Sequence, residues 1–215
     1  MAIAKQKVQA MYQSGAKHYD FTTILFRLIG LRMKTYRSVA IKKLSLQRGD
    51  FVIELGCGTG LNFPLLMEQL GPAGRLIGVD LTPGMLDLAR ARVKRSGWKN
   101  VELAKSDIAT YYFPEGVNGV LATGVFGYVP QYDYVIKEAS KSLVPGGHLA
   151  ILDGKQPENL PSWLFKIVLK LGGPFVYTPE YFNVRPWESV KRYFRETSFE
   201  TRYGGMIYIL SGTAP

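Results

Sequence analysis

Cysteine is nearly missing from this chain of 215 residues, where Cys57 stands alone. One thiol excludes an internal disulfide framework and makes a reducing compartment the default. Long hydrophobic runs are missing too. No stretch approaches the roughly 18 uninterrupted apolar residues of a membrane-spanning helix. The two most apolar windows, Phe21–Leu31 and Trp163–Leu171, are broken by Arg27 and by Lys166 and Lys170. The amino terminus has no compact apolar core followed by a cleavage site, so no secretory signal and a cytoplasmic location are expected. Internal repeats and low-complexity tracts are lacking. Acid is scarce at one end only. Residues 1–49 carry ten Lys/Arg but a single acid, Asp20, whereas the other 166 residues carry 17 basic and 16 acidic side chains. The net charge of +10 is therefore an N-terminal property. Such a block suggests an anionic partner (a phospholipid surface, a nucleic acid or a phosphorylated substrate), weighed against a solvated helical face. Hydrophobic residues at 47% and charged residues at 20% exclude a disordered or fibrous chain and suit one globular domain with a sizeable core.

What is present, from residue 50 onward, is alternation. Phe51–Leu55 reads as a buried strand, and Leu61–Leu70 has helical apolar spacing and stops at Gly71-Pro72. Leu76–Val79 reads as a second strand, Pro83–Arg95 as a helix, Val101–Ala104 and Val117–Thr123 as further strands. Gln131–Leu143 reads as a helix that ends at Pro145-Gly146-Gly147, with a fifth strand at His148–Leu152. Strands alternating with helices imply an α/β, doubly wound, mostly parallel sheet. Phe199–Tyr203 and Met206–Leu210 are separated only by Gly204-Gly205, so this pair must be antiparallel. The expectation is a seven-stranded sheet whose C-terminal strand is antiparallel.

The informative segment is Val52-Ile-Glu-Leu-Gly-Cys-Gly-Thr-Gly60, where a strand ends, three glycines alternate and a helix begins. Glycine lets a ligand approach the backbone, and ligands of open α/β sheets sit beyond the carboxyl ends of the strands. Twenty residues past Gly60 the second strand ends in Asp80, which suits a carboxylate accepting ribose hydroxyls. The alternative is a strand-to-helix turn with no ligand. The glycine spacing departs from the dinucleotide pattern G-x-G-x-x-G, because position 61 is Leu. Glu54 before the loop is unhelpful beside a pyrophosphate but compatible with a cationic ligand end. A dehydrogenase would also usually carry a separate substrate domain, for which 215 residues leave little room. These points favour S-adenosylmethionine over a nicotinamide dinucleotide.

Glu54-Leu-Gly-Cys-Gly-Thr-Gly60, Gly78-Val-Asp80 with Leu81-Thr-Pro-Gly-Met85, Ser106-Asp-Ile108 and Leu143-Val-Pro-Gly-Gly147 together resemble the signature of class I S-adenosylmethionine-dependent methyltransferases over residues 50–153. The resemblance implies that Gly56, Cys57, Gly58, Thr59 and Gly60 face the methionine moiety and that Glu54 orients this loop or the ammonium group. It implies that Asp80 holds the ribose, Leu81 and Met85 flank the adenine, Asp107 and Ile108 meet the adenine amino group and edge, and Thr123 and Gly124 contact the methionine part. S-adenosylhomocysteine would be the product. Tyr19-Asp20 before a long helix, together with Lys155-Gln-Pro157, Leu164, Val190–Phe194 and Gly204-Gly205-Met206, is similar to the ubiquinone/menaquinone biosynthesis methyltransferases, and small phospholipid N-methyltransferases share the Tyr-Asp opening.

A sulfonium is already an activated donor, so methyl transfer asks mainly for alignment and exclusion of water. Tyr128, after the fourth strand where acceptors bind, is a catalytic candidate, with packing as its alternative. Tyr19 and its neighbour His18 are the others, His18 as a base or as an ordinary helix-start histidine. His148 lies at the wrong end of the sheet by topology, and Cys57 reads as a small buried residue rather than a nucleophile. No metal site is expected. Thr123–Tyr128 carries neither the Asn/Asp-Pro-Pro-aromatic motif of nucleobase amino-methylases nor a Pro-Cys nucleophile, so nucleic acid is not expected. Ile24, Leu25, Leu28 and Ile29, and again Trp163, Leu164, Ile167, Val168 and Leu171, form apolar stripes with basic residues near the rim or opposite. They suit a helix on an anionic bilayer, a lid or core. The expected acceptor is a small lipophilic molecule, a quinone precursor or phospholipid headgroup. The alternatives are a small polar metabolite, a non-catalytic cofactor binder and an RNA-interacting protein. Residues 1–48 are expected to form a basic helical cap and 49–215 the methyltransferase domain, with the oligomeric state left open.

Overall fold

The structure is a computed structural model that describes residues 5–25, 30–157, 161 and 179–215. Among these residues seven strands form one sheet in the order β3-β2-β1-β4-β5-β7-β6. The strands are β1 (Phe51–Leu55), β2 (Arg75–Asp80), β3 (Val101–Lys105), β4 (Val117–Thr123), β5 (Leu143–Gly154), β6 (Arg195–Arg202) and β7 (Ile207–Thr213). β1 to β5 pair in parallel, and β7 runs antiparallel to both β5 and β6. The described helices are α1 (Lys5–Leu25), α2 (Met33–Lys42), α3 (Phe63–Leu70), α4 (Pro83–Ser96), α5 (Tyr132–Ser142) and α6 (Pro186–Tyr193).

Successive strand residues point to opposite faces, so a central strand apolar throughout can feed two cores. Val52 and Leu121 enter the core beneath α2, α3 and α4, while Ile53 and Val120 enter the one beneath α5. α3 and α4 each begin with a proline in the first turn, where the missing N–H has no intrahelical partner to lose. α4 ends at Gly97 with φ 69°, in the left-handed region a C-terminal turn demands. Among the described residues, Tyr36, Ala40 and Ile41 of α2 are buried in the sheet-face core, whereas α1 lies across the carboxyl ends of the strands with Tyr12 and Tyr19 turned toward them. α1 packs against α4. Tyr19 and Asp20 lie inside α1 rather than ahead of a long helix, because the helix begins at Lys5 and runs through both.

Two boundaries differ from the sequence reading by four residues or more. β5 begins at Leu143, before the Pro-Gly-Gly turn, because Leu143 still pairs with Val117 and a register shift absorbs the turn. Gly146 N–H donates to the Ala214 carbonyl at 3.2 Å, and Ala214 N–H donates to Gly147 at 2.7 Å, tying the turn to the carboxyl terminus. β6 begins at Arg195, four residues earlier than its apolar part suggests. It is an edge strand with mostly exposed side chains, so its polar half carries no hydrophobic signal. The apolar stripes at 24–29 and 163–171 fall wholly or mainly outside the described residues. No helix among the described residues is long and apolar enough to cross a membrane.

Candidate active site

The sheet reverses its order between β1 and β4, and the carboxyl ends of β1, β2, β3 and β4 open into a cavity of about 470 Å3. That volume lies within the roughly 300–1,000 Å3 of ligand pockets. β1 delivers the glycine loop. Cys57 N–H donates to Val79 at 3.0 Å, and Gly60 N–H donates to Cys57 at 2.9 Å, which curls the loop over the end of β2. Gly56 and Gly58 sit at φ 65° and 54°. A Cβ on Gly56 would lie 2.6 Å from Val125 Cγ2, so the residue must be small for β1 and the loop after β4 to approach. A Cβ on Gly58 would meet nothing within 4 Å: its bare backbone faces open space in the cavity.

Asp80 ends β2 and braces the loop. Its Oδ2 accepts from Gly58 N–H at 2.8 Å and its Oδ1 from Thr82 N–H at 2.8 Å. Burial pushes its pKa up, against the pull of these backbone donors. Leu81, Met85 and Ile108 line an apolar slot beside it, and Asp107, whose Oδ1 accepts from Ala109 N–H at 3.0 Å, closes the far side. Thr123, Gly124 and Tyr128 form the wall from β4. α1 supplies Tyr12 and Tyr19 to the same cavity. Tyr12 Oη donates to Tyr128 Oη at 3.3 Å, and their rings meet edge to face with centroids 5.9 Å apart. Burial is the main cause that raises the pKa of Tyr19 and Tyr128, so both phenols stay protonated at neutral pH.

The cavity thus gathers Tyr19, Gly56, Gly58, Asp80, Leu81, Met85, Asp107, Ile108, Thr123, Gly124 and Tyr128 from the expected set. Four expected contacts stand one layer behind its wall. Glu54 is 1% exposed and accepts from Asn62 Nδ2 at 2.6 Å, with Oε2 left without a partner among the described residues. Burial lifts its pKa to about 8, although Asn62 and the Arg37 guanidinium pull downward. Cys57 turns its buried side chain toward Gly78 on β2, and burial pushes its thiol pKa up, which removes it as a nucleophile. Gly60 backs onto Phe63. Thr59 is buried and points to α1 instead. The side chain of His18 lies outside the described residues, and His148 pairs with Thr213 at the opposite end of β5.

A fastening of α1 was not anticipated. Thr59 Oγ1 donates to Asp20 Oδ1 at 2.6 Å, and Arg92 Nη2 on α4 donates to Asp20 Oδ2 at 2.6 Å. Arg92 Nε also donates to the Thr59 carbonyl at 2.9 Å. Nearer the amino terminus of α1, Gln13 Oε1 accepts from Gly84 N–H at 2.8 Å. The scarcity of acid among residues 1–49 marked Asp20 as exceptional, and Tyr12 lies seven residues before Tyr19 on the same helical face. Nothing in the sequence pointed to Arg92 or Asn62.

Among the described residues, Asp80 and Asp107 are the charged side chains lining the cavity; no Lys, Arg or His does so. A pyrophosphate would meet carboxylates there, whereas a ligand with a sulfonium and an ammonium group is matched in sign. The bare Gly58 backbone, the braced Asp80 carboxylate and the apolar slot fit an adenosine joined to a cationic amino acid. No group of three His, Cys, Asp or Glu able to hold a metal occurs among the described residues.

Residues 52–147 match the methyltransferase domain family. Demethylmenaquinone methyltransferase of Listeria welshimeri is 32% identical over 181 residues, spanning 80% of this chain and 74% of that one. This chain belongs to the S-adenosylmethionine-dependent methyltransferases. The methyltransferase shares its fold with solved structures at lower identity. A SAM-dependent methyltransferase from Aquifex aeolicus superposes with TM-score 0.57 at 19% identity, covering 83% of this chain and 89% of that one. Haemonchus contortus phosphoethanolamine N-methyltransferase 2, in complex with S-adenosyl-L-methionine, superposes with TM-score 0.65 at 17% identity, covering 83% and 52%. S-adenosylmethionine is the cofactor of this methyltransferase.

Proposed function

We propose that this methyltransferase methylates a flat, hydrophobic aromatic acceptor, a quinone precursor in its reduced form. One observation carries the reading: beyond the adenosine slot the cavity is walled by Tyr12, Tyr19, Tyr128, Val125, Val129 and Pro130, with no cationic side chain among the described lining residues. Aromatic rings stack or meet edge to face with such walls. A phospholipid headgroup would bring its phosphate against Asp80 and Asp107 with no cation to receive it, so it is the weaker alternative. The relatives named demethylmenaquinone methyltransferase support the same choice.

In this reading Asp80 receives the ribose hydroxyls, Leu81, Met85 and Ile108 enclose the adenine, and Asp107 meets its amino group. The loop at Gly56 and Gly58 receives the amino-acid end, with Glu54, Cys57, Thr59 and Gly60 holding that loop from behind and Thr123 and Gly124 flanking it. Bound S-adenosylmethionine supplies an activated methyl group and leaves as S-adenosylhomocysteine. Tyr19 and Tyr128 touch the acceptor as neutral phenols, and the Tyr12–Tyr128 hydroxyl pair orients an acceptor oxygen rather than taking its proton. α1, fastened through Asp20, covers the cavity and excludes water. This makes residues 1–48 a cap in their first helix only. Arg32, just before α2, and Lys34 and Lys42 on it are exposed, and they give a lipophilic acceptor's bilayer a cationic surface to meet.

The test is transfer of labelled methyl from S-adenosylmethionine to a reduced short-prenyl 1,4-naphthoquinone carried in vesicles with and without anionic lipid. Label in the organic phase, faster with anionic vesicles, is expected. Label only in a water-soluble product of a cell extract would overturn the acceptor class. Equal rates in both vesicles would remove the membrane role of α2.

A further inference from the structure

Behind the acceptor wall lies a buried pair that the transfer itself does not use. Asp153, 3% exposed near the end of β5, accepts at Oδ2 from the backbone N–H of Val125 at 3.2 Å and of Phe126 at 3.0 Å. Its Oδ1 accepts from Gly154 N–H at 2.7 Å and from the hydroxyl of Tyr181. One carboxylate therefore collects donors from the turn after β4, from its own strand and from a distant segment, Pro179–Asn183. Tyr181 is 1% exposed. Its ring occupies the place a side chain at residue 127 would need: a Cβ on Gly127 would lie 2.2 Å from Tyr181 Cδ2. The same ring meets Tyr128 edge to face, centroids 4.7 Å apart. Val125 and Tyr128, the two ends of this turn, both line the cavity.

We infer that Tyr181 and Asp153 are positioning residues for the methyl acceptor: they hold the turn at Val125–Tyr128, and with it the Tyr128 ring, at the depth that the acceptor requires. Gly127 is the seat reserved for the Tyr181 ring. The inference rests on the acceptor lying against Tyr128, as proposed above. The physical case is one of supply and demand. The turn after β4 leaves its Val125 and Phe126 N–H groups facing the interior, where an unmade hydrogen bond is costly. A carboxylate answers both at once, and a charged acceptor gives the stronger bond. The Tyr181 hydroxyl occupies the carboxylate's other oxygen, and its ring fills the side of the turn left bare by Gly127. Neither residue touches the cofactor part of the cavity. The turn meets the cofactor part of the cavity only through Val125, which packs beside Gly56, so loss of this pair shifts the acceptor's alignment more than it loosens the adenosine slot.

The experiment uses the full chain carrying Tyr181→Phe, which keeps the ring and drops the hydroxyl, and Gly127→Ala, which displaces the ring. Amide hydrogen exchange at Val125 and Phe126 is expected to quicken at least tenfold in Tyr181→Phe. With the reduced short-prenyl naphthoquinone, kcat/KM is expected to fall about tenfold in both variants, while the Kd for S-adenosylhomocysteine stays within twofold in Tyr181→Phe and rises by less than kcat/KM falls in Gly127→Ala. Unchanged exchange at both amides in Tyr181→Phe overturns the inference. So does an S-adenosylhomocysteine affinity that falls as far as kcat/KM, which would mark a general loss of structure. If the wild-type protein fails to methylate this quinol, the acceptor reading falls by itself, and the exchange rates alone decide whether Tyr181 and Asp153 hold the turn.

Discussion

Replacing Glu54 by glutamine is expected to remove a pH dependence from the stability of the ligand-free methyltransferase. The carboxyl group is buried, one oxygen is held by Asn62 and the other has no partner among the described residues. Burial is the first cause that carries its pKa from the ordinary 4.5 to about 8. At intermediate pH the folded protein therefore keeps a proton that the unfolded chain has released. The sign follows: stability from this group is fully present below the unfolded value of 4.5 and is lost as pH rises through about 8. Each unit corresponds to about 1.4 kcal/mol, so the interval of about 3.5 units amounts to on the order of 5 kcal/mol. The assay is urea unfolding of wild type and Glu54→Gln at steps between about pH 5 and about pH 8. Asp153, lifted to about 6 by burial, contributes a slope of the same sign, but it is present in both proteins and cancels in the difference. The wild-type curve should fall relative to the variant by about 1.4 kcal/mol per pH unit, or roughly 3–6 °C in melting temperature. Parallel curves would refute the burial of a protonated carboxyl behind the glycine loop.

Asp80→Ala is expected to weaken S-adenosylhomocysteine binding at least tenfold by calorimetry, since it deletes the proposed ribose acceptor and also the brace on Gly58 N–H; equal affinity would remove Asp80 from the site. Asp20→Asn should lower the melting temperature by roughly 2–8 °C, because it weakens the bonds from Thr59 and from the partly exposed Arg92, together worth about 1–2 kcal/mol after solvent screening. An unshifted melting curve would show that α1 is held by its other contacts.

The sequence by itself determined the α/β alternation, the turns and the ligand loop of this protein. These are local: strands apolar on both faces, prolines opening α3 and α4, glycines at left-handed positions, and Asp80 at the end of its strand all act within a few residues. Composition alone separated the basic first 49 residues from the balanced remainder. It even isolated Asp20, although without its partners. Only the tertiary structure decided which side chains share the cavity. Glu54 and Thr59 belong to the same short motif as Gly58, yet one turns into the interior toward Asn62 and the other toward α1. The period of a strand sets which face a side chain takes, but not what waits there. Asp20 with Arg92, Tyr12 with Tyr128, and Asp153 with Tyr181 are separated by 72, 116 and 28 positions. Such pairings carry no periodic or propensity signal, because they arise only when the sheet order brings the ends of distant strands and helices to one edge. β6 shows the same limit in reverse: its polar half is a strand because β7 supplies hydrogen bonds to it, a partner that no local pattern in Arg195–Ser198 could announce.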